Sequence, residues 1–133
     1  MKYLRNITYY FSEIHLVIQG RGEQNLLSPQ FVFEPSEVFV NEVKRESCHK
    51  DCNLDGVISN ITLRFINEIK SIYCMFCYLT NITEVDLSKF NTSMVITMSN
   101  MFKNCHNLTK INFGNIDTSS VNIWIILFPI VLN

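Results

Sequence analysis

Residues 75–95 read MFCYLTNITEVDLSKFNTSMV, and residues 101–121 read MFKNCHNLTKINFGNIDTSSV. Laid over each other at an offset of 26, they agree at Met75/Met101, Phe76/Phe102, Asn81/Asn107, Thr83/Thr109, Thr92/Thr118, Ser93/Ser119 and Val95/Val121. Seven identities and six conservative exchanges fall in 21 positions, where chance supplies about one or two, so the chain contains an internal repeat. The flanks extend it faintly: Ile69 falls on Val95, Ile72 on Met98, and Leu127-Phe128 on Met101-Phe102.

Within each unit the hydrophobic pattern changes period. Thr83-Glu84-Val85-Asp86-Leu87 and Thr109-Lys110-Ile111-Asn112-Phe113 alternate, as a short strand does. Val85, Leu87, Ile111 and Phe113 should face one way, and Glu84, Asp86, Lys110 and Asn112 the other. Asn91-Thr92-Ser93 and Asp117-Thr118-Ser119 supply helix-capping chemistry. Val95, Met98, Met101 and Phe102 then recur at the spacing of one helical face. One strand and one helical turn per unit, stacked with parallel strands over a shared interior, is the leucine-rich-repeat plan. The expected fold class is therefore α+β: a short leucine-rich-repeat solenoid with parallel strands and short helical turns.

Met101, Phe102, Cys105, Leu108, Thr109, Ile111, Phe113, Asp117, Thr118, Ser119 and Val121 form a pattern that resembles the units of BspA-like leucine-rich-repeat surface proteins. The preceding unit keeps Met75, Phe76, Thr83, Val85, Asp86, Leu87, Ser88, Phe90, Asn91, Thr92, Ser93, Val95 and Met98, with Leu79 in place of the cysteine. The resemblance covers residues 60–128. It implies a cell-surface or secreted protein that binds other proteins or cells.

Residues 1–65 read as a β-rich N-terminal cap, and residues 66–133 as the repeats, the last unit incomplete. In the cap, Glu13–Gly20, Gln30–Phe33, Glu37–Asn41 and Ile61–Phe65 have strand character, and Arg21–Asn25 has turn chemistry. A cap is expected because the end unit of a stack otherwise exposes its interior.

Composition bounds the remainder. The 133 residues are 47% hydrophobic and 17% charged, too apolar for disorder and large enough for one modest core. A net charge of −1 offers no broad attraction to nucleic acid or anionic lipid. Met1 to Tyr10 lacks an apolar core and a small-residue cleavage site, so no signal peptide is read there. The apolar run Ile123–Leu132 is half the roughly 20 residues of a spanning helix and contains Pro129, so no clear transmembrane helix is expected. Five cysteines leave at least one thiol unpaired within the chain. Asn-x-Ser/Thr sequons at Asn6, Asn60, Asn81, Asn91 and Asn107 arise in part from the repeat itself.

Three chemical readings compete with a bland one. Asp51, Asn53, Asp55 and Ser59 imitate an EF-hand loop, but Thr62 stands where a bidentate Glu is required, and a turn before a strand is the plainer reading. Cys48, Cys52, Cys74 and Cys77 have zinc-like pairing, set against a Cys48–Cys52 disulfide and buried thiols at the other positions. Cys48/His49 and Cys105/His106 are adjacent pairs without an oxyanion or Gly-rich motif, so no catalytic residue, cofactor or metal ligand is expected. The functional expectation is a non-enzymatic module for protein or cell binding. Its candidate exposed face is Glu84, Asp86, Lys110 and Asn112. The alternatives are a truncated structural remnant without a partner, and a calcium-binding module using the 51–62 turn.

Overall fold

The computed structural model describes residues 12–122 and, among them, eight strands and no helix. The readings made for Met1 to Tyr10 and for Ile123–Leu132, including Leu127-Phe128, lie outside the described residues. In chain order the strands are β1 (Ser12–Gln19), β2 (Gly22–Asn25), β3 (Glu37–Val40), β4 (Val43–Lys44), β5 (Asp51–Leu54), β6 (Ile58–Phe65), β7 (Ile82–Asp86) and β8 (Lys110–Asn112). Six of them form one sheet in the order β4-β3-β6-β1-β7-β8, and β2 pairs with β5 in a small second sheet.

The middle of the large sheet follows from alternation. Ile14, Leu16 and Ile18 of β1 are buried, as are Ile61, Leu63 and Phe65 of β6 and Val38 and Val40 of β3. Antiparallel pairing sets Leu16 opposite Ile61 and Ile14 opposite Leu63, so the apolar sets fall on one face. β7 joins the other side of β1, antiparallel, through a bulge between Val17 and Ile18. The bulge skips one residue of β7, which lets both Ile82 and Val85 reach the interior although they are three apart.

The leucine-rich-repeat solenoid expectation is overturned. Among the described residues the structure is all-β, a mixed sheet with one parallel strand pair, β7 with β8, and one isolated parallel bridge, Ser71 with Thr97. The apolar positions read as a helical face are buried: Val95, Met98, Met101 and Phe102 are each at most 1% exposed. They get there through tight turns. Val95 N bonds to Thr92 O, Lys103 N to Asn100 O, Cys105 N to Phe102 O and Leu108 N to Cys105 O. Asn100 and Asn104 adopt left-handed φ values of 57° and 58°, as Cys74 (55°) and Tyr78 (65°) do one unit earlier. A left-handed residue every few positions breaks an α-helix, and a spacing of three or four residues fits apolar turn corners as well as a helix face.

The 26-residue offset is nonetheless the offset of the backbone. Val85 pairs with Ile111 and Asp86 with Asn112. The N–H groups of Cys74, Phe76 and Tyr78 donate to the carbonyls of Ser99, Met101 and Lys103 at 3.1, 3.0 and 2.7 Å. The rings of Phe76 and Phe102 stack at 5.6 Å and 8°. Repeat asparagines reach back across layers: Asn107 Nδ2 donates to Thr80 O at 2.6 Å, and Asn81 Nδ2 to Asn25 O at 2.9 Å. Asp86, Asn91, Asn112 and Asp117 each accept the N–H of the residue two ahead, which closes the turn after each strand.

Two strand assignments also move. Gln30–Phe33 is not a strand. Phe31 is buried and Val32 is exposed, but Pro29 and Pro35 flank the segment, and Lys50 Nζ donates to the carbonyls of Pro29 and Phe31. Residues 21–25, expected as a turn, hold β2, because β5 supplies a ladder with Glu23 opposite Asn53 and Asn25 opposite Asp51.

Phe76→Ala removes one of the two stacked rings and should cost about 3–5 kcal/mol in a urea melt. Gly114 has φ +55°, and a Cβ there would lie 2.7 Å from Ser88 Cα in the layer below. Gly114→Ala should therefore cost about 1–2 kcal/mol although the position is exposed; an unchanged melt would contradict the close layer contact.

Candidate functional site

The strands that bury one face of the large sheet present a polar second face. β1 contributes Glu13, His15 and Val17, β6 contributes Asn60, Thr62 and Arg64, β3 contributes Glu37 and Phe39, and the repeat strands contribute Glu84, Asp86, Lys110 and Asn112. Register turns these into rows across the sheet. Glu37, Arg64 and Glu13 form one row, Phe39, Thr62, His15, Asp86 and Asn112 the next, and Asn60, Val17, Glu84 and Lys110 a third.

The first row is an ion ladder. Arg64 Nε meets Glu13 Oε2 at 2.6 Å, Arg64 Nη1 meets Glu37 Oε2 at 3.4 Å, and Lys44 Nζ closes on Glu37 Oε1 at 3.3 Å. The Arg64 guanidinium also lies 4.5 Å from the centre of the Phe39 ring. Burial pushes the Glu13 carboxyl upward, but the hydrogen bond and charge of Arg64 outweigh it and hold Glu13 below its ordinary value. In the second row the His15 ring sits between partners: Nδ1 lies 3.1 Å from Thr62 Oγ1, and Nε2 lies 3.5 Å from Glu13 Oε1. The middle of the face dips into an open depression of about 370 Å3, lined in part by His15, Thr62, Asn60, Glu84 and Asp86.

All four residues singled out from the repeat lie on this face. Glu84 and Lys110 are directly paired, Nζ to Oε2 at 3.5 Å, and stay 45% and 70% exposed. Asp86 and Asn112 are also adjacent, but each side-chain oxygen is engaged by the turn that follows its strand. The hydrogen bonds from Ser88 hold the Asp86 carboxyl below its usual range, with help from Asn112 and His15. Glu84 and Lys110 thus keep accessible charged ends, while Asp86 and Asn112 mainly shape the backbone. Sequence reasoning missed Glu13, His15, Thr62 and Arg64. Their signal was present as the polar half of the alternating strands Glu13–Gly20 and Ile61–Phe65, but their position beside the repeat depends on the β1–β7 pairing.

The other chemical candidates resolve locally. Asp51 and Asn53 lie on strand β5, which sends them outward along a ladder rather than around a centre. Cys48–Cys52 and Cys74–Cys77 are disulfides with Cα atoms 4.7 and 4.8 Å apart, so these sulfurs carry no thiolate. Cys105 is free and buried, and burial pushes its thiol up to about 11, which leaves little thiolate near neutral pH. Among the described residues no helix is long and apolar enough to cross a membrane.

Residues 33–129, well over half of the chain, match the family described as "Mycoplasma protein of unknown function, DUF285". The chain belongs to this family. The match supports a relation coarser than the leucine-rich-repeat resemblance, and a leucine-rich-repeat assignment is not part of it. No curated protein and no solved structure matches the chain. The family span takes in β3 to β8, both repeat units and both disulfides of this DUF285 chain, whereas β1 precedes it.

Two outcomes test this face. Glu13, Asp86 and Asp117 all lie below their ordinary values in the folded chain. The unfolded chain therefore takes up protons first, so their contribution is complete above the ordinary carboxylate range and is lost as pH falls through about 5 to 3. Thermal melts should show that decline, shallower in Glu13→Gln; a melting temperature independent of pH over this range would contradict it. Arg64→Met leaves Glu13, only 16% exposed, without its guanidinium partner. It should cost about 1–2 kcal/mol, a figure discounted for the one-third exposure of Arg64, and Glu13→Gln in the same chain should recover part of it.

Proposed function

We propose that this DUF285 chain is a non-enzymatic surface-protein module that binds another protein, or a cell surface through its proteins, with the polar face of the large sheet. The observation that carries this reading is the exposed Glu84–Lys110 pair beside His15 on a sheet whose opposite face is committed to the core. A rigid sheet holds these groups at fixed spacings, which lowers the ordering cost of forming an interface. Charges at the edge of such a surface steer encounter and set register more than they add affinity. The resemblance to BspA-like surface proteins supports display outside the cell. So do the two disulfides, which persist in oxidising surroundings.

The test uses the fluorescently labelled chain titrated onto intact cultured epithelial cells. Saturable binding is expected, with the double charge reversal Glu84→Lys/Lys110→Glu weakening it about tenfold or more while leaving the melting temperature within a few degrees. Thr80→Ala, away from the face, should bind as the parent does. Binding that is absent, unsaturable, or indifferent to the double reversal would sink the proposal.

A further inference from the structure

The two repeat units solve one turn in two ways. In the second unit the left-handed position is Asn100, followed three residues later by Lys103. Asparagine is among the few residues that adopt this conformation at low cost. In the first unit the same two positions are Cys74, at φ 55°, and Cys77, and the two are joined by a disulfide. Cysteine has no intrinsic ease in the left-handed region, so a cross-link spanning the turn stands where asparagine stands one layer on.

This turn carries much of the contact between layers. It presents Met75 and Phe76, both 0% exposed, to the core. The N–H groups of Cys74, Phe76 and Tyr78 make the three bonds to Ser99, Met101 and Lys103. On its other side Met75 O accepts the N–H of Ser28, and Cys77 Sγ lies 3.4 Å from Ser28 Oγ. The same short segment therefore ties the second unit to the N-terminal half.

We propose that the Cys74–Cys77 bond is a redox lock on the stacking of the first repeat unit against the second. Reduction by a dithiol breaks the S–S bond. Two electrons pass to the two sulfurs, each takes one proton, and the reductant's thiols close to a disulfide. The turn is then left with an ordinary side chain in the left-handed region, and the three interlayer bonds open more often. Cys74 and Cys77 are 2% and 0% exposed, so the reductant acts through transient opening of the turn, and the change develops slowly.

Amide hydrogen exchange on the full chain, oxidised and after dithiothreitol treatment, reads the lock directly. Protection of the amides of residues 74, 76 and 78 should fall about tenfold on reduction, the size of the left-handed penalty, while amides in the β1–β6 ladder change little. Cys48→Ser/Cys52→Ser should show the same response, because its remaining disulfide is the one proposed to act. Cys74→Asn/Cys77→Ala, which borrows the solution of the second unit, should stay protected with or without reductant. Cys74→Ala/Cys77→Ala should resemble the reduced parent. Unchanged protection of residues 74, 76 and 78 in the reduced parent would overturn the proposal, as would a reductant response that disappears in Cys48→Ser/Cys52→Ser.

Discussion

Everything in the described structure depends on β1 pairing along both of its edges. One edge takes β6 over eight residue pairs, and the other takes β7 through the bulge. With Ile14, Leu16 and Ile18 all at 2% exposure or less, β1 places a continuous apolar ridge at the middle of the core. A strand that far from an edge has no free hydrogen-bonding groups to satisfy and both neighbours to pack against, so its register decides which side chains share each face. The bulge matters for the same reason. Without the skipped residue, the alternation of β7 would carry Val85 or Ile82 onto the polar side.

From that pairing, the repeat inherits a platform. β7 is templated on β1, β8 on β7, and the 26-residue offset is carried outward in backbone bonds, stacked phenylalanines and asparagine side chains. Burial falls away along the stack: Val85 and Leu87 are 1% exposed, whereas Ile111 and Phe113, their equivalents one layer on, are only partly buried. A repeat unit cannot close its own interior and relies on the layer beneath it. Here the supporting layer is an antiparallel sheet from a different part of the chain.

The functional reading inherits the same geometry. Cross-strand rows bring Glu37, Arg64 and Glu13 together across three strands, and they place His15 next to Asp86 although 71 positions separate them in the sequence. The ion ladder on one side is largely engaged in its own pairs, while the Glu84–Lys110 pair at the other side keeps its charged ends in water. Rigid, internally satisfied polar rows beside accessible charges favour recognition over chemistry, since none of the residues on the face forms a nucleophile–base pair.

The sequence by itself determined the repeat, its offset, the strand positions of residues 83–87 and 109–113, and the inward and outward halves of each strand. These are local consequences of period-two alternation and of self-similarity. It also held the turn chemistry of Asn91, Asn112 and Asp117, because an Asx side chain closes its own turn without help from a distant partner. The tertiary structure alone decided that Val95, Met98, Met101 and Phe102 line successive turns rather than a helix. A helix and a run of tight turns bury the same spacing, and the choice rests on left-handed residues held by interlayer bonds. It alone decided, too, that residues 22–25 become a strand and residues 30–33 do not, since a strand exists only where a neighbour supplies the ladder. The polar face was divided between these two levels: its outer charges were legible in the repeat, and its centre, His15 and Arg64, waited on a long-range pairing that no local pattern encodes.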